Sequence, residues 1–184
     1  MILSGEGGDF EKPEATLQNA VCAAIYDLKW QVTNFGPKHR VLIVWELEQR
    51  MTQGDYAGKR FIKANEYTAS IHPKSNLGQH LIGWRGRAFT AEELKGFEIE
   101  DIVGKPCRLN LIENGDYINI DSILKADPAH ALTVEGDYST PMKWSQDKID
   151  KGTKGPATTG IVSSQDGWTN DTMDTAPDDR DIPF

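Results

Sequence analysis

From Arg40 to Leu47 the chain alternates, with Val41, Ile43, Trp45 and Leu47 on one set of positions and Arg40, Leu42, Val44 and Glu46 on the other. Only an extended strand, whose side chains point to opposite faces with period two, gathers the first four onto one surface. The pattern predicts a half-buried strand that ends at the turn-forming Gln53-Gly54-Asp55. Upstream, the apolar run Leu17 to Gln31 reads as a first strand, and Asn34-Phe35-Gly36-Pro37 as the turn between the two. Phe61 to Ile71 is a third, less regular strand, with Phe61, Lys63, Asn65, Tyr67 and Ala69 sharing a face, and Pro73 stops it.

Between Lys74 and Gly104 the period changes. Leu77, Leu81 and Trp84 fit a short helix, and Thr90-Ala91-Glu92-Glu93 has the capping-box pattern that opens a second one toward Phe97. Strands return after Gly104-Lys105-Pro106 as Cys107 to Ile112 and Tyr117 to Leu124. They flank Glu113-Asn114-Gly115-Asp116, in which Asn-Gly is a strong signal for a type I′ hairpin. Three strands, a helical insert and a terminal hairpin are the element order of an OB-fold, so the expected architecture is mainly β: a five-stranded barrel with helix between strands three and four.

From Ala126 onward no period survives. Gly, Ser, Thr, Asp and Pro dominate, with isolated aromatics at Tyr138, Trp144 and Trp168. The sequence therefore divides into an N-terminal arm (1–14), an OB-fold DNA-binding domain (15–126), a flexible linker (127–173) and an acidic tip (174–184), the last two forming a disordered acidic tail. A flexible linker of this length reaches on the order of 40 Å. Charge divides the same way: residues 1–125 carry 15 Lys/Arg against 17 Asp/Glu, and residues 126–184 carry 5 against 11. A nucleic-acid site must then be a local patch of the barrel, not its whole surface. The stretch from Lys59 to Arg87 suits one, with six cations against the single acid Glu66.

The start of the chain has neither a basic segment nor an apolar stretch suited to export, and no run is long enough to span a bilayer, so a cytoplasmic protein with no membrane partner is expected. Cys22 and Cys107 lie in strand-like segments without metal or redox spacing and read as reduced core residues.

The chain closes with Asp178-Asp179-Arg180-Asp181-Ile182-Pro183-Phe184. These seven residues resemble the C-terminal tip of bacterial single-stranded DNA-binding proteins, although Arg180 interrupts that family's unbroken acidic run. Phe184 offers a ring and an α-carboxylate on one residue, suited to an apolar pocket with a basic rim, and Pro183 holds the approach extended. Asp178, Asp179 and Asp181 would steer the tip, and Ile182, Pro183 and Phe184 would fill the pocket of a replication, recombination or repair protein. A second resemblance covers most of residues 15–125: Lys74-Ser75-Asn76-Leu77, Trp84-Arg85-Gly86-Arg87-Ala88-Phe89-Thr90, Glu93-Leu94-Lys95-Gly96-Phe97 and Gly104-Lys105-Pro106-Cys107. It is similar to a group of bacteriophage and prophage proteins associated with replication and recombination, which implies the cytoplasm of an infected bacterium and assigns no catalytic residue.

Single-strand binding needs cations along the phosphate path and aromatic faces for the bases. The candidates are Lys29, Trp30, Phe35, Lys59, Arg60, Lys63, Tyr67, Lys74, Arg85, Arg87 and Tyr117. Trp30, beside Lys29 and a polar turn, fits either a stacking platform or a barrel plug. Tyr117 lies on the polar side of the last strand's alternation, whereas Trp45 and Trp84 continue apolar patterns and belong to the core.

No P-loop, His-Glu-x-x-His or Gly-x-Ser-x-Gly occurs, and His39, His72, His80 and His130 have no metal-ligand spacing. Glu92, Glu93, Glu98, Glu100 and Asp101 read as helix-dipole residues, so no cofactor, metal or catalysis is expected. The sequence points to a phage single-stranded DNA-binding protein without strong sequence preference that recruits partners through its tip. The alternatives are an interaction protein whose tip mimics the host tail, and a metal-dependent nuclease.

Overall fold

The structure is a computed structural model and describes residues 11–155. Its centre is one antiparallel sheet of β1 (Leu17–Thr33), β2 (Gly36–Arg50), β3 (Arg60–Thr68), β4 (Pro106–Asn114) and β5 (Tyr117–Lys125), in the spatial order β3-β2-β1-β4-β5. Helix α1 (Asn76–Arg85) lies between β3 and β4, and α2 (Lys143–Lys151) follows β5. The fold is mainly β, as the alternation predicts.

The inner face holds Val41, Ile43, Trp45 and Leu47 of β2, with Phe61 and Tyr67 of β3 and Leu109, Leu111, Ile118 and Ile123 of the β4–β5 hairpin. Leu77, Leu81 and Trp84 of α1 cover this core, so Trp45 and Trp84 are buried as expected. Ser75 caps α1, its Oγ accepting the Gly78 N–H at 3.1 Å, and Gly86 ends the helix at a left-handed φ of 70°. Two glycines let α1 seat against backbone: a Cβ on Gly83 would stand 2.4 Å from the Ile123 carbonyl oxygen, and one on Gly78 would stand 2.1 Å from that of His72. Cys22 and Cys107 are free thiols in this core, and burial pushes Cys22 up to about 12.

Two local expectations change. The Thr90–Glu93 box forms, with Glu93 Oε2 accepting the Thr90 N–H at 2.9 Å and Thr90 Oγ1 accepting the Glu93 N–H at 3.2 Å, but it opens only a 3-10 turn, Glu93–Lys95. Gly96 stops it, and Phe97 turns in to meet Phe89 edge-on at 5.2 Å. The last hairpin turns one residue later than Asn-Gly predicts: Asn114 pairs with Tyr117 across Gly115-Asp116. Gly115 alone of these two takes positive φ, which is the Gly-first pattern of a type II′ turn.

The largest correction concerns β2 and the segment after β5. The strand is not half-buried. Leu42, Val44 and Glu46, on its outer face, are as buried as the inner set. They are covered by residues 131–155, which were expected to be flexible linker. Val134, Tyr138, Met142, Trp144 and Ile149 pack onto Ala23, Ala24, Leu28, Leu42, Val44 and Ala64. These five side chains are seated on a sheet assembled from distant strands, so most of the segment needs no period of its own. Among the described residues no helix is long and apolar enough to cross a membrane.

Candidate nucleic-acid interface

Two buried carboxylates fix the strap over β1, β2 and β3. Glu46 accepts the Glu135 N–H at 2.9 Å, the Gly136 N–H at 2.6 Å, the Tyr138 hydroxyl at 3.0 Å and Arg60 Nη1 at 3.1 Å. Glu66 binds Arg40 Nε at 3.0 Å and the Lys148 ammonium of α2. Tyr26 adds a hydrogen bond to the Tyr138 carbonyl at 2.7 Å. An apolar surface with two buried anions, closed by its own chain, offers nothing to a phosphate backbone. The outer face of β2 and β3 is occupied by the strap.

This geometry redistributes the candidate contacts. Lys63 and Tyr67 are withdrawn, being 5% and 1% exposed. They share the inner face with Phe61; the Lys63 ammonium donates to the Ile118 carbonyl, and the Tyr67 hydroxyl meets His80 Nδ1 at 2.8 Å. Desolvation pushes Lys63 down to about 8. Arg60 is neutralised by Glu46 and by Glu135 at 2.8 Å. Arg85 and Arg87 both bind Glu93, and Arg85 also lies 4.4 Å over the Phe89 ring. The Arg87 hydrogen bond, the Thr90 N–H and Arg85 together hold the Glu93 carboxyl far below the usual carboxylate range. The run from Lys59 to Arg87 is therefore rich in cations but poor in free ones. Lys59, 5.2 Å over the Tyr56 ring, and Lys74 stay exposed, as does Tyr117, which lines a cavity of about 360 Å³ with Lys12, Phe61, Ile62 and Ile118.

Lys29, Trp30 and Phe35 are brought together on the β1–β2 hairpin. Asp27 and Lys29 flank a bulge in the pairing, and Lys29 adopts a left-handed φ of 61°, supported by the Asp27 carboxylate accepting its N–H at 2.7 Å. The bulge keeps Leu28 on the strap side while Trp30, paired with His39, stacks on that ring at 5.7 Å. Phe35, in the turn, is 56% exposed.

The end of α2 docks onto this hairpin. Lys29 Nζ donates to the Ile149 carbonyl at 3.0 Å and Gln31 Nε2 to that of Lys148 at 2.9 Å. Trp30 and Thr153 exchange two backbone hydrogen bonds of 3.1 Å. Gly152 permits the approach, since a Cβ there would stand 2.5 Å from the Leu28 carbonyl oxygen. The Thr153 segment is thereby held on the edge of β1 opposite β2; Lys151 and Lys154 are exposed there, Lys38 of β2 is half-buried, and among the described residues none of the three has an ion pair. Sequence reading missed these lysines because two of them stand in the supposed linker.

Asp178, Asp179, Asp181, Ile182, Pro183 and Phe184 of the tip lie outside the described residues. Among the described residues no group of three or more His, Cys, Asp or Glu side chains is arranged to hold a metal ion. No protein-family model matches the chain, and no curated protein and no solved structure matches it.

Proposed function

We propose that this chain is a single-stranded DNA-binding protein of bacteriophage type, built on an OB-type barrel, which recruits DNA-processing proteins through its terminal Asp-Asp-Arg-Asp-Ile-Pro-Phe. One observation carries the barrel half of this reading. The order β3-β2-β1-β4-β5 of the antiparallel sheet, with a helix between β3 and β4, supports an OB-like arrangement. The two edge strands approach each other across the remaining seam, where Lys63 of β3 reaches the Ile118 carbonyl of β5. The resemblance of the tip supports the recruiting half.

Titration of the full chain against dT oligonucleotides of several lengths, the matching duplex and rU oligonucleotides tests the reading. Single-strand DNA binding that exceeds duplex binding and weakens with salt is the expected result. Equal affinity for duplex, or no binding, overturns it. Deleting Phe184 should abolish capture of bacterial proteins that bind single-strand-binding tails, while leaving oligonucleotide affinity at high salt unchanged.

The rival reading, an interaction protein whose tip mimics the host tail, draws on the ion pairing of Arg60, Arg85 and Arg87, which leaves little free positive charge on much of the barrel. It expects tail-dependent capture without any oligonucleotide binding.

A further inference from the structure

We infer that single-stranded DNA runs along the ridge formed where the end of α2 docks on the β1–β2 hairpin, its phosphates held by Lys38, Lys151 and Lys154 and a base stacked on Phe35. The inference rests on the proposed DNA binding and locates it.

Three observations converge on the ridge. The outer β2–β3 face is closed by the strap and carries Glu46 and Glu66 beneath it. The arginines of the 59–87 stretch already hold carboxylates, so binding phosphate there would require breaking Arg60–Glu46 and Arg85–Glu93. On the ridge, by contrast, no ion pair among the described residues involves the three lysines, and their backbones are fixed by the Trp30–Thr153 bridge and the hydrogen bonds of Lys29 and Gln31 to the last turn of α2. The nearby acids are partly spent: Asp27 faces His39 at 2.7 Å, and Asp150 accepts Gln146 Nε2 at 2.8 Å, while Asp147 stays exposed on α2. Val32 at 92% and Phe35 at 56% exposure make the hairpin tip apolar in open solvent. A ring there has no packing role in the described residues, and base stacking is a use that suits it.

Thr153, in the strap, is bridged to Trp30 of the hairpin. The strap is therefore part of the site: it carries two of the three lysines to a hairpin more than a hundred residues earlier in sequence.

The test uses the full chain, a fluorescein-labelled dT oligonucleotide and anisotropy over a range of salt. The variant K38E/K151E/K154E is compared with K95E/K105E/K125E, which changes net charge equally at exposed lysines elsewhere, and both are first checked for a native thermal transition. The ridge variant should lose at least about tenfold in affinity at low salt, and its log–log salt slope should become shallower by about 2, since each single-strand phosphate contact contributes about 0.7. The control should stay within about threefold of wild type, and Phe35→Ala should weaken binding by about tenfold. Wild-type affinity and slope in the ridge triple variant, or an equal loss in the control, overturns the ridge while leaving DNA binding standing. A wild-type chain that binds no oligonucleotide overturns both.

Discussion

Replacing Glu46 by Ala should release the strap. The carboxylate is 2% exposed and is the common acceptor for two backbone N–H groups, the Tyr138 hydroxyl and Arg60. Removing one partner of a buried ion pair costs about 3–5 kcal/mol, because the remaining charge keeps its desolvation penalty. Each donor left buried and unpaired would add about 1–3 kcal/mol. Four such costs together exceed what a short covering segment can sustain, so the donors should rehydrate as residues 133–138 peel from β2. That caps the loss near the ion-pair figure, a large share of the 5–15 kcal/mol typical of a domain. With a urea dependence of roughly 2 kcal/mol per molar, the midpoint should fall by about 2 M. Hydrogen exchange at Glu135 and Gly136 should accelerate, and Tyr138→Phe should cost less in the Glu46→Ala background than in wild type, because both act through one network. A midpoint within about 0.3 M of wild type, with both amides still protected, would refute the claim that this carboxylate holds the strap.

Two further outcomes are expected. Gly83→Ala improves helix propensity, yet its Cβ would stand 2.4 Å from the Ile123 carbonyl oxygen, so thermal denaturation should show a loss of about 1–3 kcal/mol; a stabilised variant would mean that α1 does not seat directly on β5. Burial lowers Lys63 from its ordinary 10.5 to about 8, so wild-type stability relative to Lys63→Met should rise as pH climbs from about 8 to about 10.5, where the unfolded lysine also loses its proton. A pH-independent difference between the two, measured by urea denaturation across that window, would place the ammonium in solvent.

Period-two alternation is a local property, and it made the strands and the inner core legible. Val41, Ile43, Trp45 and Leu47 share a face whatever they pack against, and Gly-containing turns mark where each strand must reverse. The short helix was readable for the same reason, from Leu77, Leu81 and Trp84. The candidate site was far less legible, since a cation's availability depends on what stands beside it in space. Arg60 looks like a phosphate ligand until Glu46 and Glu135, one on a neighbouring strand and one in the strap, are brought to it. Lys63 carries a charge that reads as surface in sequence, but β3 turns it inward. Residues 131–155 lack a continuous pattern because they complete a surface that exists only once β1, β2 and β3 are paired. Sequence by itself determined the strands, the turns, the identity of the inner face and the chemistry of the terminal tip. Tertiary structure alone decided which cations are free, that β2 is buried on both sides, and that the end of α2, with Lys151 and Lys154, docks on β1, because ion pairing and burial are set by long-range contacts that no local period encodes.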